Sequence, residues 1–401
     1  MPSLTSGRLR PLSRWLILLS ALLLALGPST AWPRSAAAAG NVSRPVLAMY
    51  YAWFDGNSWG PGKSVDQPSS PYSSSDRGTI DRQVGQAQGA GIDAFELDWL
   101  GPGNPTDSNL QTLLSVSGQR GFGVTVDFDL NSPFIHSSGD TTNNLNYLKR
   151  YFSDPSWFRI GGKPVVVFFS IRAYDVGTWS AIRSAVDPNH EQVWIGEGDQ
   201  FSYLQVFDGI HPYSVAWSSD PSSQLASYAS RTRAYPGKLW MATVMPGYDD
   251  TRLGRPNGFA VGRQGGSYYS SLWSGAIASA PDLISITSWN EWPEGDEIEP
   301  SLGYGDQYLT LTKQGSQSYK AGPSTPLPAA PPAPSGTCGL YTQAGGGSGG
   351  FAMTNVDGIN FCSSFLSFGG VNALGYPATQ RFVKDGFTYQ ASQGAVLQWR
   401  P

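Results

Sequence analysis

Between residues 46 and 289 the chain carries eight short, predominantly apolar runs. They are Val46 to Trp53, Ile92 to Trp99, Gly123 to Leu130, Pro164 to Ser170, Val193 to Gly196, Phe207 to His211, Leu239 to Val244 and Leu283 to Trp289. Between them lie six segments with helical features: Thr79 to Gly89, Asn109 to Arg120, Leu145 to Phe152, Thr178 to Val186, Ser222 to Ala234 and Ser267 to Ala280. A strand with no polar alternation is buried on both faces, which is the condition of a parallel strand covered by helices. Eight such strands close most economically into a (β/α)8 TIM-type barrel, a fold of roughly 250 residues. The expected class is therefore α/β.

The rest of the chain divides around that body. Arg8, Arg10 and Arg14 precede an apolar run from Trp15 to Leu26, and small residues follow through Ala39, the pattern of a secretory signal peptide. Twelve such residues fall short of the ~20 that span a bilayer, so no stable membrane span is expected after cleavage. Six prolines between Gly322 and Pro334 alternate with Ala, Ser and Thr, as in a semi-rigid spacer. We thus expect a leader over 1–39, a barrel over 44–315, a Pro-rich linker over 316–337 and a small module over 338–401. Export gives the cysteines a meaning: Cys338 and Cys362 are the only two, and an even pair in an exported chain is most simply a disulfide.

Charge excludes one class of function. The leader holds four of the 26 basic residues and no acid, so its removal leaves 22 basic against 30 acidic side chains, a net charge of −8. Without a Lys or Arg run, such a chain lacks the counterion-releasing footprint of a nucleic-acid binder. With no cysteine and only three histidines in the body, a Cys/His metal site is not available. No metal or cofactor is called for.

Polar residues cluster where the strands end. Asp55 follows the first run, Glu96 and Asp98 close the second, Asp127 and Asp129 the third, and Glu197 and Asp199 follow the fifth. His211 and Tyr213 end the sixth, Tyr248 to Arg252 follow the seventh, and Asn290, Glu291 and Glu294 follow the eighth. In a (β/α)8 barrel this is the face that carries the active site. Its residues are acidic and aromatic, and 14 Trp, 19 Tyr and 18 Phe are more rings than a core alone requires. Two carboxyl groups flanking a bond are what glycoside hydrolysis needs, and sugar rings pack their C–H faces on aromatic rings.

The densest segment runs Ser285-Ile286-Thr287-Ser288-Trp289-Asn290-Glu291-Trp292-Pro293-Glu294-Gly295-Asp296-Glu297-Ile298-Glu299-Pro300. Glu291 and Glu294, three apart, share one side of a helical turn. Two close carboxylates repel, so one keeps a proton near neutral pH and serves as acid while the other serves as base. The competing reading is a solvated acidic loop, because Asp296, Glu297 and Glu299 follow directly. Glu197 offers a rival pairing with Glu291, or a substrate-binding or loop-structuring role.

This segment resembles the Asn-Glu-Trp-x-Glu-Gly-x-x-Ile-Glu-Pro signature of glycoside hydrolase family 99, the endo-α-mannosidases, and related domains. Pro246-Gly247-Tyr248-Asp249-Asp250-Thr251-Arg252 is similar to that family's Pro-Gly-Tyr-Asn-Asp-Thr-Arg, Tyr50-Tyr51-Ala52-Trp53 to its Tyr-Tyr-x-Trp opening, and Phe207-Asp208-Gly209 matches at strand six. The resemblance implies a retaining barrel hydrolase that cuts within α-mannosidic chains. It implies Glu294 as the acid/base and Glu291 as the group that deprotonates the sugar 2-hydroxyl, giving a 1,2-anhydro intermediate. Tyr248 and Asn290 would line the cleavage subsite, with Tyr51, Trp53, Asp98, Trp99, Trp292 and Arg252 as further contacts. Three positions depart from the family pattern: Pro293 stands for its His, Trp289 for its Phe, and Asp127-Phe128-Asp129 for a His-Glu pair.

The tail contains Leu374-Gly375-Tyr376-Pro377 and Asp385-Gly386-Phe387-Thr388-Tyr389-Gln390, which look like the short Gly-Phe/Tyr-Pro repeats of exported bacterial proteins and imply contact with a cell wall or sugar. The expectation is a secreted endo-acting hydrolase of mannan-like polysaccharide or glycan. A non-catalytic carbohydrate-binding or cell-surface protein on the same barrel is the alternative.

Overall fold

The computed structural model describes residues 43–322 and, in the tail, residues 337–341, 351–356, 358–384 and 386–400. The leader and nearly all of the Pro-rich segment lie outside the described residues. Among those described, no helix is long and apolar enough to cross a membrane.

Eight strands form one closed parallel sheet: β1 (Val46–Tyr50), β2 (Ala94–Trp99), β3 (Gly123–Asp129), β4 (Lys163–Phe169), β5 (Val193–Glu197), β6 (Gly209–His211), β7 (Leu239–Val244) and β8 (Leu283–Ile286). Each pairs with its neighbours in chain order, and β1 pairs with β8, so the barrel is complete. Alternate residues do different work, as a period of two requires. Leu47, Val165, Val167, Ile195, Met241 and Leu283 pack against one another inside the barrel. Their neighbours Ala48, Val166, Trp194, Ala242 and Ile284 join the larger core beneath the helices. Both faces are buried, which is why the strands read as predominantly apolar runs, with the buried acids Glu96, Asp98 and Asp127 as the exceptions on β2 and β3.

Seven helices surround the sheet: α1 (Arg77–Gly89), α2 (Pro105–Arg120), α3 (Ser138–Leu148), α4 (Val176–Val186), α5 (Pro221–Arg233), α6 (Ser267–Ala278) and α7 (Gln307–Lys320). The first five begin upstream of the apolar positions that announce them. In each, a polar side chain just before the helix caps a free backbone N–H: Asp76 accepts from Thr79, Asn104 from Thr106, Ser137 from Asp140, Asp175 from Thr178 and Asp220 from Ser223. α3 also ends early, at Leu148, and passes into a 3₁₀ turn at Lys149–Tyr151. Between β5 and β6 only a 3₁₀ turn, Phe201–Gln205, replaces a helix.

α7 corrects the expected barrel boundary at residue 315, because it continues to Lys320. Gly315 lets it approach α6 closely, since a Cβ there would lie 2.3 Å from the Trp273 ring. At its end, Ser316 Oγ and Lys320 Nζ both donate to the carbonyl of Gly91.

The tail forms two small antiparallel sheets. β9 (Thr337–Tyr341), β10 (Phe351–Val356) and β11 (Ile359–Asn360) make one; β12 (Phe382–Lys384), β13 (Phe387–Ala391) and β14 (Val396–Trp399) make the other. Two short helices, α8 (Phe361–Ser367) and α9 (Gly370–Leu374), lie between the two sheets in the chain. Met353, Ile359, Phe361, Cys362 and Phe365 form its core. α8, which carries Cys362, packs against β9, which carries Cys338. The side chain of Cys338 lies outside the described residues, and the expected disulfide falls there.

Candidate active site

The turn after β8 is held from below before it presents any catalytic group. Trp289 N–H donates to Met49 O at 2.7 Å, carrying the chain beyond β8 onto the end of β1. Asn290 completes the splice: its Oδ1 accepts from Tyr51 N at 2.7 Å, and its Nδ2 donates to Tyr51 O at 2.9 Å and Tyr72 Oη at 3.0 Å. Both carboxamide ends are engaged and the residue is fully buried. Asn290 therefore clamps β1 to the turn from beneath and does not line the subsite, contrary to the expectation from sequence.

Glu291 and Glu294 then lie on one 3₁₀ turn, Trp292–Glu294, with Glu294 N–H donating to Glu291 O at 3.2 Å. Pro293 falls in the first positions of that turn, where a missing N–H costs nothing. Gly295 leaves it with φ +60°, a left-handed conformation that glycine adopts without strain. Glu291 N–H donates to Ser288 Oγ, which donates to Asp296 Oδ1, both at 2.6 Å.

The acidic residues that follow are not a solvated loop. Asp296, Glu297 and Glu299 are all buried. Glu297 pairs with Arg263 Nη2 at 2.5 Å, while Glu299 accepts from Gln83 at 2.7 Å and from Tyr72 Oη at 2.9 Å. They brace the turn from below, and burial raises both Glu297 and Glu299 to about 7.

Above them the two glutamates meet different surroundings. Glu294 Oε2 accepts from Tyr213 Oη at 2.8 Å, and its Oε1 pairs with Arg255 Nη1 at 2.6 Å. The same Arg255 nitrogen donates to Tyr248 Oη and Asp250 Oδ2, each at 3.1 Å. Tyr51 Oη stands 3.4 Å from Tyr213 Oη, so with the Tyr213 proton given to Glu294, Tyr51 is the donor of that contact. A cation and a phenol thus converge on the two oxygens of Glu294 and fix its orientation. Glu291 has no such support: its Oε2 is buried without a hydrogen-bond partner. Burial first, then the charges of Glu294, Asp296 and Asp98, push its carboxyl well above the usual range.

The remaining candidates divide by strand register. Asp98 points into the barrel mouth, where burial and the charge of Asp129 raise its pKa. Trp99, one residue later, points outward and is fully buried. Its ring stacks near Phe128 and Tyr147 and its N–H donates to Asp107 at 3.2 Å, so it belongs to the core instead of contacting sugar. Trp292 is likewise buried, under the turn, with its N–H on Tyr72 Oη at 3.3 Å. Arg252 reaches Ser64 O at 3.0 Å and ties two loops together. Tyr51 feels the charge of Glu291 and Tyr248 that of Glu294, and the exposed Trp53 ring lies 4.8 Å from that of Tyr51. Glu197 closes β5, where burial raises its pKa and the amides of Ser170 and Tyr213 and the Arg172 cation offset it. Its charge acts on Asp127, whereas Glu291 feels Glu294, Asp296 and Asp98.

Sequence reasoning passed over Tyr213 and Arg255 as site residues. Arg255 lies three residues beyond the end of the Tyr248 to Arg252 motif. Tyr213 had a signal, its place after β6, but nothing in one sequence aims it at Glu294. Among the described residues, no group of three or more His, Cys, Asp or Glu side chains is placed to hold a metal ion.

Comparison with known proteins places the chain in a family. The model of Glycosyl hydrolase family 99 matches residues 64–310. The glycoprotein endo-alpha-1,2-mannosidase of Xenopus laevis is 27% identical over 294 residues, covering 62% of this chain and 64% of its own length. That of Rattus norvegicus is 26% identical over 354 residues, covering 68% of this chain and 74% of its own. The chain thus spans somewhat less than two thirds of the frog protein. Among solved structures, the GH99 endo-alpha-mannosidase from Bacteroides thetaiotaomicron superposes with a TM-score of 0.62 at 23% identity, over 71% of this chain and all of that one, a likeness of fold.

Proposed function

The chain belongs to glycoside hydrolase family 99, and on that premise we propose that it is a secreted, retaining, endo-acting hydrolase of internal α-mannosidic bonds in mannan-like polysaccharide or glycan. The observation that carries the reading is the unequal pair Glu291 and Glu294 on one rigid turn, the first pressed toward its protonated form and the second held by Arg255 and Tyr213. Two neighbouring carboxyls whose surroundings separate their proton affinities are the pattern of an acid and a base.

In the proposed cycle, substrate entry moves the shared proton from Glu291 to Glu294. Glu294 then gives it to the glycosidic oxygen as the C1–O bond breaks. Glu291 takes the proton of the 2-hydroxyl, whose oxygen closes on C1 to form a 1,2-anhydro sugar. Water next opens that ring at C1: Glu294 accepts the water's proton while Glu291 returns a proton to O2. Two displacements at C1 leave its configuration unchanged, and as product leaves the shared proton passes back from Glu294 to Glu291, which restores the starting state. Arg255 and Tyr213 keep Glu294 aimed throughout.

The basic, apolar, small-residue leader supports secretion, and the Gly-Phe/Tyr-Pro pattern of the tail supports a wall or sugar contact by that module. Incubation with α-mannans, followed by linkage analysis of the oligosaccharides released, tests the reading. Glu294→Gln should retain the fold and lose turnover. Full activity in that variant removes Glu294 from the assignment, and binding without any cleavage by the unaltered protein replaces the enzyme with a carbohydrate-binding protein.

A further inference from the structure

Within the described barrel, residues 43–322, four aromatic side chains are exposed: Trp53 at 38%, Phe134 at 53%, Trp217 at 57% and Tyr304 at 38%. All four sit in loops that follow the C-terminal ends of strands, after β1, β3, β6 and β8 respectively. None lies on the outward faces of α1 to α7, which form most of the remaining surface. Apolar surface left in water on one face marks a face that binds something.

Two of the four have their rings already occupied. Trp53 packs on Tyr51 at 4.8 Å, and Tyr304 packs on Tyr308 at 5.3 Å with Arg263 over its ring at 4.6 Å. Phe134 and Trp217 have no ring or cation partner among the described residues. Both are nonetheless anchored: Trp217 donates its indole N–H to Ser214 O at 3.0 Å, and the Phe134 N–H donates to Ser132 Oγ at 3.2 Å. The Trp217 ring is held directly, and at Phe134 the backbone beneath the ring is held.

Their placement around the barrel is the second fact. β3 and β6 are three strands apart one way round and five the other, so the two loops stand nearly opposite each other across the mouth. Asp98, Glu291 and Glu294 rise from strands between them on the longer arc. A flat ring is the surface on which the C–H face of a pyranose packs, and two rings on opposite sides of a cutting pair grip a chain on both sides of the cut.

We propose that Phe134 and Trp217 are sugar-stacking platforms at the two ends of a groove across the barrel mouth, so that the substrate is a linear chain of hexopyranose units held on both sides of the bond that is cut. The inference rests on reading the site as a glycoside-hydrolysing one and adds the direction and length dependence of the substrate.

The test uses the full chain and its Phe134→Ala, Trp217→Ala and doubly substituted forms. Thermal melting comes first; both side chains are exposed, so it should be unchanged. Then kcat/KM is measured on α-mannan oligosaccharides of graded length, and affinity for α-mannan is measured with each form in the Glu294→Gln background. Removing one stacked ring lowers affinity about tenfold. The unaltered enzyme should prefer longer chains, and that preference should collapse in the double variant, chiefly through KM. Unchanged length preference or unchanged affinity in the double variant overturns the proposal, as does a protein that binds no chain at all. If the unaltered protein binds mannan without cutting it and the double variant loses that binding, the platforms stand and the hydrolytic reading falls.

Discussion

Tyr213, from the loop after β6, donates its phenolic proton to Glu294 Oε2 over 2.8 Å, so one strand's loop aims the carboxylate carried by another. Tyr213→Phe keeps the ring and removes that donor. Turnover should fall about tenfold to a hundredfold, with KM little changed and melting unaltered. Steady-state kinetics beside a melting curve decide it. An unaffected kcat makes the contact irrelevant to catalysis.

Arg255 tests the electrostatics of the pair. Its cation lowers the Glu291 pKa against burial and three neighbouring acids. In Arg255→Met that cation is gone, so Glu291 holds its proton to higher pH. The limb of the pH–rate profile that reports loss of the Glu291 proton should therefore move upward, with reduced kcat. A limb that stays in place, or moves down, contradicts the arrangement.

Glu96 is fully buried inside the barrel, and burial, offset only in part by the Ser285 hydroxyl, raises it to about 8. An acid raised on folding contributes stability that is complete below its unfolded pKa of about 4.5 and is lost as pH rises through its folded pKa. The unaltered protein should thus lose thermal stability between pH 5 and pH 8, and Glu96→Gln should lose less of it. Parallel melting curves across that range for both proteins would show that Glu96 does not titrate there.

Asn290→Ala removes the partner of two backbone groups of Tyr51 and of the Tyr72 hydroxyl. Leaving buried groups unpaired should cost about 2–4 kcal/mol. Activity should fall further than stability, because the turn bearing both glutamates loses its seat. Denaturant unfolding and kinetics on the same preparation separate the two effects. Unchanged stability would show that the clamp is not structural.

How legible was this in the sequence? The barrel was visible because burial on both faces makes most of its strands apolar along their length, and Leu239 to Val244 was bounded correctly at both ends. Strands β1 and β8 were read too long. Past Tyr50 and Ile286 the chain is still apolar, but it leaves the ladder for contacts made by Trp289 and Asn290. The first five helix starts were read late because the periodic positions lie inside the helix while caps such as Asp76 and Asp175 lie before it. α7 was missed because Gln307–Lys320 is largely polar, with Gly315 in its middle. At the site, the shared turn of Glu291 and Glu294 was legible from their spacing of three. Trp99 and Trp292 were misread because composition does not say which way a ring points, and Tyr213 and Arg255 depend on contacts 81 and 39 residues away in sequence.

The Asn290 to Tyr51 splice joins positions 239 residues apart, the first and last strands of the barrel. Contacts of such separation form late, after intervening loops have been closed. The glutamate turn rests on that seam, so the assay for hydrolysis doubles as a clock: during refolding, activity should return with the last closing step, after helix content. Fragments that lack either end strand should be silent however much secondary structure they keep.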